Sequence, residues 1–445
     1  MPAHRALPLL AASCALVAAV ACGSSSGPEA SGSGDGSADA AAPDASEESA
    51  SSADGTVTDA PAHGDDGGGG DASALDGAAD AADGSTHVDA SADGGPLCTD
   101  AGVPITDAGA CSSTLALLAA SSTAIAQAVS TGGVWSSTST VSQGVTGEPA
   151  LAAYGTGYLG VFAGSSPASG LVWTQYAGSW SAPASVAGLP TSPQGDPALG
   201  VLASAAHVVY WGAHDYDYYQ AVFDGSAWSA AAAPGNAGAK IYGLAAPAAA
   251  AVGSTFVLAF VDGNSGAVMS QTWNGSWGPE VDVTKSQEAS VQLSPAIVAL
   301  SGGGADAMIV YQGSTSASLR YTVRTVGSWS TPANLTGSPS TSLAPAVAPL
   351  PGGGAVAVWQ GAKGYPYASV YDGATWSVPV VIAPAAVKSR PTVAAGVCGA
   401  TAVAALTSAS GGPVALSMLT ACGWSAPAPV SGTAGMPYAE VASAP

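Results

Sequence analysis

Residues able to do chemistry are few in this chain. The densest group is His214-Asp215-Tyr216-Asp217-Tyr218-Tyr219, shortly after Trp211. Tyrosine offers a flat apolar face and a hydroxyl, and aspartate accepts hydrogen bonds from hydroxyl groups. That combination suits a ligand rich in C–H and O–H groups. A second group, Lys363-Gly364-Tyr365-Pro366-Tyr367, follows Trp359 in the same way. Trp211, His214, Asp215, Tyr216, Asp217, Tyr218, Trp359, Tyr365 and Tyr367 are therefore the candidate ligand-binding residues. The plainer alternative is a solvated loop with incidental aromatics.

Patterns for catalysis are weak. Residues 113–445 hold two histidines, His207 and His214, and the first lies in an apolar run that predicts a packed strand. No nucleophile-elbow sequence occurs in that region. Paired carboxylates for glycoside hydrolysis would have to come from few acids, and no motif places them. No glycine loop ends in Lys-Ser or Lys-Thr, so Gly302-Gly303-Gly304 and Gly352-Gly353-Gly354 read as hairpin turns. Cysteine and histidine are not clustered at metal-ligand spacing. No catalytic residue, metal or cofactor is expected. The net charge of −22 argues against nucleic acid, which needs a basic surface.

The elements that position these residues are repeats. The motif Tyr176-Ala177-Gly178-Ser179-Trp180-Ser181-Ala182-Pro183 returns with small changes. Its tryptophans are Trp135, Trp180, Trp228, Trp277, Trp329, Trp376 and Trp424, spaced by 45, 48, 49, 52, 47 and 48 residues. Pro149, Pro197, Pro247, Pro295, Pro345, Pro391 and Pro437 form an interleaved series with spacings of 48, 50, 48, 50, 46 and 46. A period of about 40–50 residues is typical of propeller blades. One unit reads Pro197–Leu202, Ala206–Trp211 and Tyr219–Phe223 as strands, then a turn, Trp228 and a short fourth strand. A ring of large side chains, one per unit at the same turn, is most simply blade-to-blade packing.

The ends set the blade count. Complete units run 30 to 34 residues from proline to tryptophan, but only the 22 residues Thr114 to Trp135 serve the first tryptophan. A spare first-strand segment, Pro437 to Pro445, supplies nine more and completes a unit of 31. The sequence predicts an all-β, seven-bladed propeller of four-stranded blades over residues 113–445, closed by its C-terminal strand.

Residues 1–21 have a basic start, His4 and Arg5, and an apolar run to Ala21, which is the pattern of an export signal. The run ends Ala19-Val20-Ala21-Cys22. Residues 22–97 follow as an acidic Ala/Ser/Gly/Asp tether. Sixteen acidic residues, no Lys or Arg and no aromatic lie between 23 and 97. Such a segment cannot bury enough apolar surface to fold, and as a coil it spans about 50 Å. Residues 98–112 form a boundary loop flanked by Cys98 and Cys111. If Cys22 is modified, the remaining exported cysteines fall into two pairs, Cys98 with Cys111 and Cys398 with Cys422. Export permits disulfides, and the second pair lies within one repeat.

The sequence around Cys22 resembles the lipobox of bacterial lipoproteins, with Ala19 where leucine is usual. This implies a lipidated Cys22 and a protein held by lipid alone to the bacterial cell envelope, at the outer membrane or surface. The repeat unit, seen in Ala355–Gly361 and Tyr371-Asp372-Gly373-Ala374-Thr375-Trp376, resembles that of fucose-specific fungal lectins and related bacterial propeller lectins. The resemblance covers residues 113–445. It implies sugar held between blades by an arginine, a glutamate and aromatic rings. Trp211, Tyr311 and Trp359 supply the rings, whereas the third strands carry Arg320 in one repeat and no glutamate. The Asp-Gly turns also resemble the Asp-box of sialidase-like propellers, without its intervening residue. Sialidase chemistry would need three converging arginines, and Arg320 and Arg324 share one repeat while Arg390 stands apart.

The sequence thus points to a non-catalytic, lipid-anchored surface propeller that binds carbohydrate or another extracellular polymer. A protein-interaction or structural scaffold at the cell envelope is the alternative, and a hydrolase comes third. Mass spectrometry of the mature protein is expected to find an acylated Cys22 at its N-terminus, and an unreduced sample is expected to show no free thiol.

Overall fold

The computed structural model describes residues 113–445, apart from 166–169, 190–192, 214, 235–240, 242, 244, 285–292, 303, 315, 398 and 445. Expectations for residues 1–21, 22–97 and 98–112, and for Cys22, Cys98, Cys111, His214 and Cys398, lie outside the described residues. The chain divides into Met1–His87 and Val88–Pro445, and the second unit holds the propeller.

Antiparallel pairing builds seven sheets, one per blade. Blade 2 runs Ala150–Tyr154, Gly157–Ala163, Leu171–Tyr176 and Ala184–Ser185 from the axis outward. Blade 4 runs Ala248–Val252, Thr255–Val261, Val268–Trp273 and Val281–Asp282. The first strands of blades 5, 6 and 7 are Ala296–Ala299, Ala346–Pro349 and Thr392–Ala395. Each begins immediately after its proline, so the missing N–H opens the strand and interrupts no ladder.

Blade 3 departs from the expected boundaries. Its first strand, Pro193–Leu202, starts before Pro197, and the register against Ala205–Gly212 slips between Val209 and Trp211. Pro197 falls opposite that irregularity, where no regular ladder donor is needed. Its third strand is Tyr218–Phe223. Among the described residues its fourth strand is reduced to two isolated bridges, Phe223 with Trp228 and Gln220 with Ala232.

Blade 1 is composite. Thr114–Ala120 pairs with Ile125–Thr131 on one side and with Tyr438–Ser443 on the other, in a register running from Leu115 opposite Ser443 to Ala120 opposite Tyr438. The innermost strand of the first blade is thus the last strand of the chain. First strands touch in order around the axis, and that of blade 7 packs against Tyr438–Ser443, which in turn packs against that of blade 2.

Period-two alternation makes the core. Along Thr255–Val261, Phe256, Leu258 and Phe260 pack towards blade 3, while Val257, Ala259 and Val261 pack towards blade 5. With both faces buried, the strand reads as a continuous apolar run rather than an alternating one. Small residues line the inner strands because neighbours crowd there. A Cβ on Gly200 would lie 2.7 Å from the Phe256 ring.

The recurring Trp-Ser pair has a distinct job at each position. Every tryptophan of the series packs on the preceding blade, from Trp180 against the interface of blades 1 and 2 to Trp135 against that of blades 7 and 1. Trp277 Nε1 donates to Gln220 Oε1 at 3.0 Å, and Trp329 Nε1 donates to Ser270 Oγ at 2.8 Å, both across blades. The following serine ties the outer edge to strand three. The Oγ of Ser181, Ser330, Ser377 and Ser425 accepts from the backbone N–H of Gln175, Val323, Val370 and Met418 at 3.0 to 3.1 Å. The serine therefore completes a ladder bond that the turn would leave open. Ser330→Ala should lower the unfolding free energy by about 1 kcal/mol, read from urea denaturation at unchanged slope.

Candidate functional site

The loop after Trp211 is a hairpin between the second and third strands of blade 3. Gly212 N–H donates to Asp217 O at 2.8 Å and closes it. Inside the loop Tyr216 has φ of 58°, in the left-handed region. A bulky residue there is an outlier, and such conformations persist only where surroundings impose them. Here Gly243 N–H donates to Tyr216 O at 2.9 Å and pins the loop to the chain leading into blade 4. Tyr216 is 40% exposed, and its ring centroid lies 5.8 Å from that of Trp211.

The other residues of this group divide by environment. Asp215 is partly exposed and accepts from the Tyr219 hydroxyl through Oδ2. Burial, with the Asp215 carboxylate next in weight, raises the Tyr219 phenol well above its ordinary range. Tyr219 stacks on Tyr210 at 5.5 Å, and the Tyr210 hydroxyl is buried with no hydrogen-bond partner among the described residues. The polar group Tyr210, Asp215 and Tyr219 therefore lies on the side facing blade 2. Trp211 and Tyr218 lie on the side facing blade 4. Tyr218 is fully buried and donates to Ala245 O at 2.6 Å. A Cβ on Gly243 would come within 2.3 Å of its ring, so that glycine is required by close approach. Asp217 is buried as well, so among the described residues of the group Trp211, Asp215, Tyr216 and Tyr219 keep some exposure.

The loop after Trp359 is the equivalent hairpin of blade 6. Gly361 N–H donates to Tyr365 O at 2.9 Å, and Val387 N–H donates to Gly364 O at 2.9 Å. Trp359 is 1% exposed and stacks on Tyr367 at 6.1 Å with rings 15° apart. Tyr365 and Tyr367 are partly exposed. Blades 4 and 5 lie between this loop and the one in blade 3, so the structure does not bring the two groups together.

His207 is buried and packs on Phe256 and Trp273 with ring centroids at 4.9 and 4.6 Å. Gln220 Oε1 accepts from Trp277, so its Nε2 amide donates to His207 Nδ1 at 2.8 Å. His207 Nδ1 is thus an acceptor, and burial lowers its basicity. Asp224 and Asp372 of the Asp-Gly turns are exposed. Asp372 Oδ1 accepts from the N–H groups of Ala374 and Thr375, both at 2.8 Å, and Asp224 caps Ser226 and Ala227 alike. Those bonds hold both carboxyls below their usual range, Asp224 at about 2. They are turn formers. No group of three or more His, Cys, Asp or Glu suited to a metal ion occurs among the described residues.

One cluster went unmarked by the aromatic-loop reasoning. Glu148, Asp196, Arg390 and Glu440 come from blades 2, 3, 7 and 1 and meet where the first strands begin. The available signal was the residue before the repeated proline: Glu148-Pro149, Asp196-Pro197 and Arg390-Pro391. Arg324 instead lies 3.8 Å from Asp306 in blade 5, so the three arginines do not converge.

The fold and site define a seven-bladed β-propeller with aromatic hairpins on blades 3 and 6. Comparison with protein-family models gives no match, and no curated protein matches the sequence. Among solved structures, the chain is similar to AofleA from Arthrobotrys oligospora at 13% identity and a TM-score of 0.48, over 67% of this chain and 90% of that one. The fucose-specific lectin from Aleuria aurantia is similar at 17% identity and a TM-score of 0.44, over 64% and 98%. The Hadza microbial sialidase Hz136 is similar at 9% identity and a TM-score of 0.40, over 64% and 71%.

Tyr216→Gly should keep the hairpin and raise the unfolding free energy by up to about 1 kcal/mol, because glycine adopts positive φ without strain. Chemical denaturation of the two proteins side by side measures it.

Proposed function

We propose that this chain is an exported, non-catalytic propeller, tethered to the bacterial envelope by a lipid on Cys22, that binds carbohydrate through the blade 3 hairpin. The observation carrying this reading is Tyr216, held at positive φ with its ring exposed beside Trp211. A strained, presented aromatic favours a contact role over a packing role. Asp215 adds an acceptor on the same loop for ligand hydroxyl groups. Tyr365 marks a second candidate in blade 6.

The reading includes a bridge between Cys398 and Cys422. Cys422 stands in the exposed turn between Ala415–Thr420 and Gly423–Trp424, and an up-and-down blade puts the connection from Thr392–Ala395 to Ala402–Leu406 at the same end.

A scaffold role has one observation in its favour. The outer edge of blade 6 exposes Val378, Val380 and Val381 at 70%, 49% and 50%. An apolar edge of this kind can meet a protein partner.

A glycan array probed with the full chain tests the carbohydrate reading. Binding should be abolished by free sugar and should fall at least about tenfold in Tyr216→Ala, a loss of about 1.4 kcal/mol. Unchanged binding by that variant rejects the blade 3 site. Capture of a protein partner insensitive to sugar supports the scaffold instead.

A further inference from the structure

Four ionisable side chains from four consecutive blades meet at the seam of the ring. Arg390 Nε lies 2.5 Å from Glu148 Oε2, so blade 7 is joined to blade 2 across the composite blade 1. Glu440, on the closing strand itself, sits between them with Oε2 3.9 Å from Arg390 Nη2. Asp196 extends the cluster into blade 3, where Oδ1 accepts from Glu148 N–H at 2.6 Å. The side chains of Glu148, Glu440 and Arg390 are 7%, 18% and 20% exposed. Tyr438, at the start of the closing strand, is the other titratable group that feels Glu148 and Asp196.

The closing strand has other fastenings, none of them titratable near neutral pH. Thr392 Oγ1 of blade 7 donates to Ala439 O at 3.2 Å, and Ala444 N–H donates to the Tyr158 hydroxyl of blade 2 at 3.1 Å. The start of the strand, at Ala439 and Glu440, is thus held partly by the charged cluster, and its end, at Ala444, by a neutral hydrogen bond.

We propose that this cluster is a pH-dependent latch on ring closure, which holds Tyr438–Ser443 most tightly in acidic solution and loosens it as pH rises through neutrality. The charges explain the direction. One guanidinium faces three carboxylates, so full ionisation leaves two uncompensated negative charges in a largely dry site. Glu148 touches Arg390 and ionises first. Glu440 stands farther from the guanidinium and ionises only with a second negative charge beside it.

The pKa shifts agree with that order. Burial raises Glu148 to about 7 and Glu440 to about 8, against the opposing pull of Arg390, and it raises Asp196 as well. A carboxyl whose folded pKa exceeds its unfolded value holds its proton more tightly when folded. Its contribution is intact below the unfolded value near 4.5 and is lost as pH rises through 7 to 8. The latch thus weakens on the alkaline side.

Hydrogen exchange of the full chain at pH 6 and pH 9 tests this, expressed as protection factors so that intrinsic base catalysis cancels. Between the two, Tyr438–Ser443 should lose protection by at least about tenfold, the equivalent of one pKa unit. Thr255–Val261 in blade 4 should hold its protection. Glu440→Gln should reduce the loss in the closing strand by at least about threefold, since it removes the second uncompensated charge. Equal loss in blades 1 and 4, or a loss in Glu440→Gln matching that of the unaltered chain, overturns the proposal. Glu148→Gln serves the same comparison if Glu440→Gln does not fold.

Discussion

The pairing of Thr114–Ala120 with Tyr438–Ser443 is the constraint on which the rest depends. Each blade buries both of its faces against neighbours, so no blade is complete alone. An open ring would expose the faces of two blades at once. Leu115, Leu117, Val403, Val441 and their neighbours form one apolar cluster between blades 7 and 1. Leu118, Ile125, Tyr158 and Phe162 form the next, between blades 1 and 2. Both clusters exist only while a strand from the far end of the chain stays in register, and loop closure over so long a separation carries a substantial entropy cost. The several fastenings at this seam are proportionate to that cost.

Polar chemistry in the described part is sparse and mostly structural. Serine hydroxyls of the Trp-Ser pairs extend the strand ladders, aspartates form turns, and His207 sits in a relay from Trp277 through Gln220. Two further polar groupings stand out. One is the hairpin holding Asp215 and Tyr216. The other is the mouth of the axis, where Arg390 meets three carboxylates. The first breaks the repeat by its composition, and the second by charge at a position that is Ala246, Ser294 or Ala344 in other blades.

Much of the fold was legible because it is written seven times. The tryptophan and proline series set the period, and the missing first strand of the first unit pointed to the C-terminal segment as its replacement. Strand limits in blade 3 were less legible, because the irregularity opposite Pro197 depends on cross-strand register, which periodicity does not encode. The candidate loop was visible as an aromatic cluster, but its division was not. Tyr218 and Tyr216 look equivalent in sequence, yet one packs against Phe260 and the other faces solvent. The backbone turn at Tyr216 makes that difference, together with the glycine at 243, which lies 27 residues beyond it. The axial cluster was hardest to see, since its members are scattered from 148 to 440 and only ring closure brings them together.

Every tryptophan of the series leans on the blade before it, never on the blade after, so all the interfaces are of one head-to-tail kind. Heterologous contacts of this kind either propagate without limit or return on themselves. Here they return after seven steps, and the seventh contact is of the same type as the other six. The tryptophan packing therefore does not distinguish the seam from any other joint. A circular permutant opened between blades 4 and 5 would keep the same set of faces, and the position of the break would matter only to the strand pairing of blade 1.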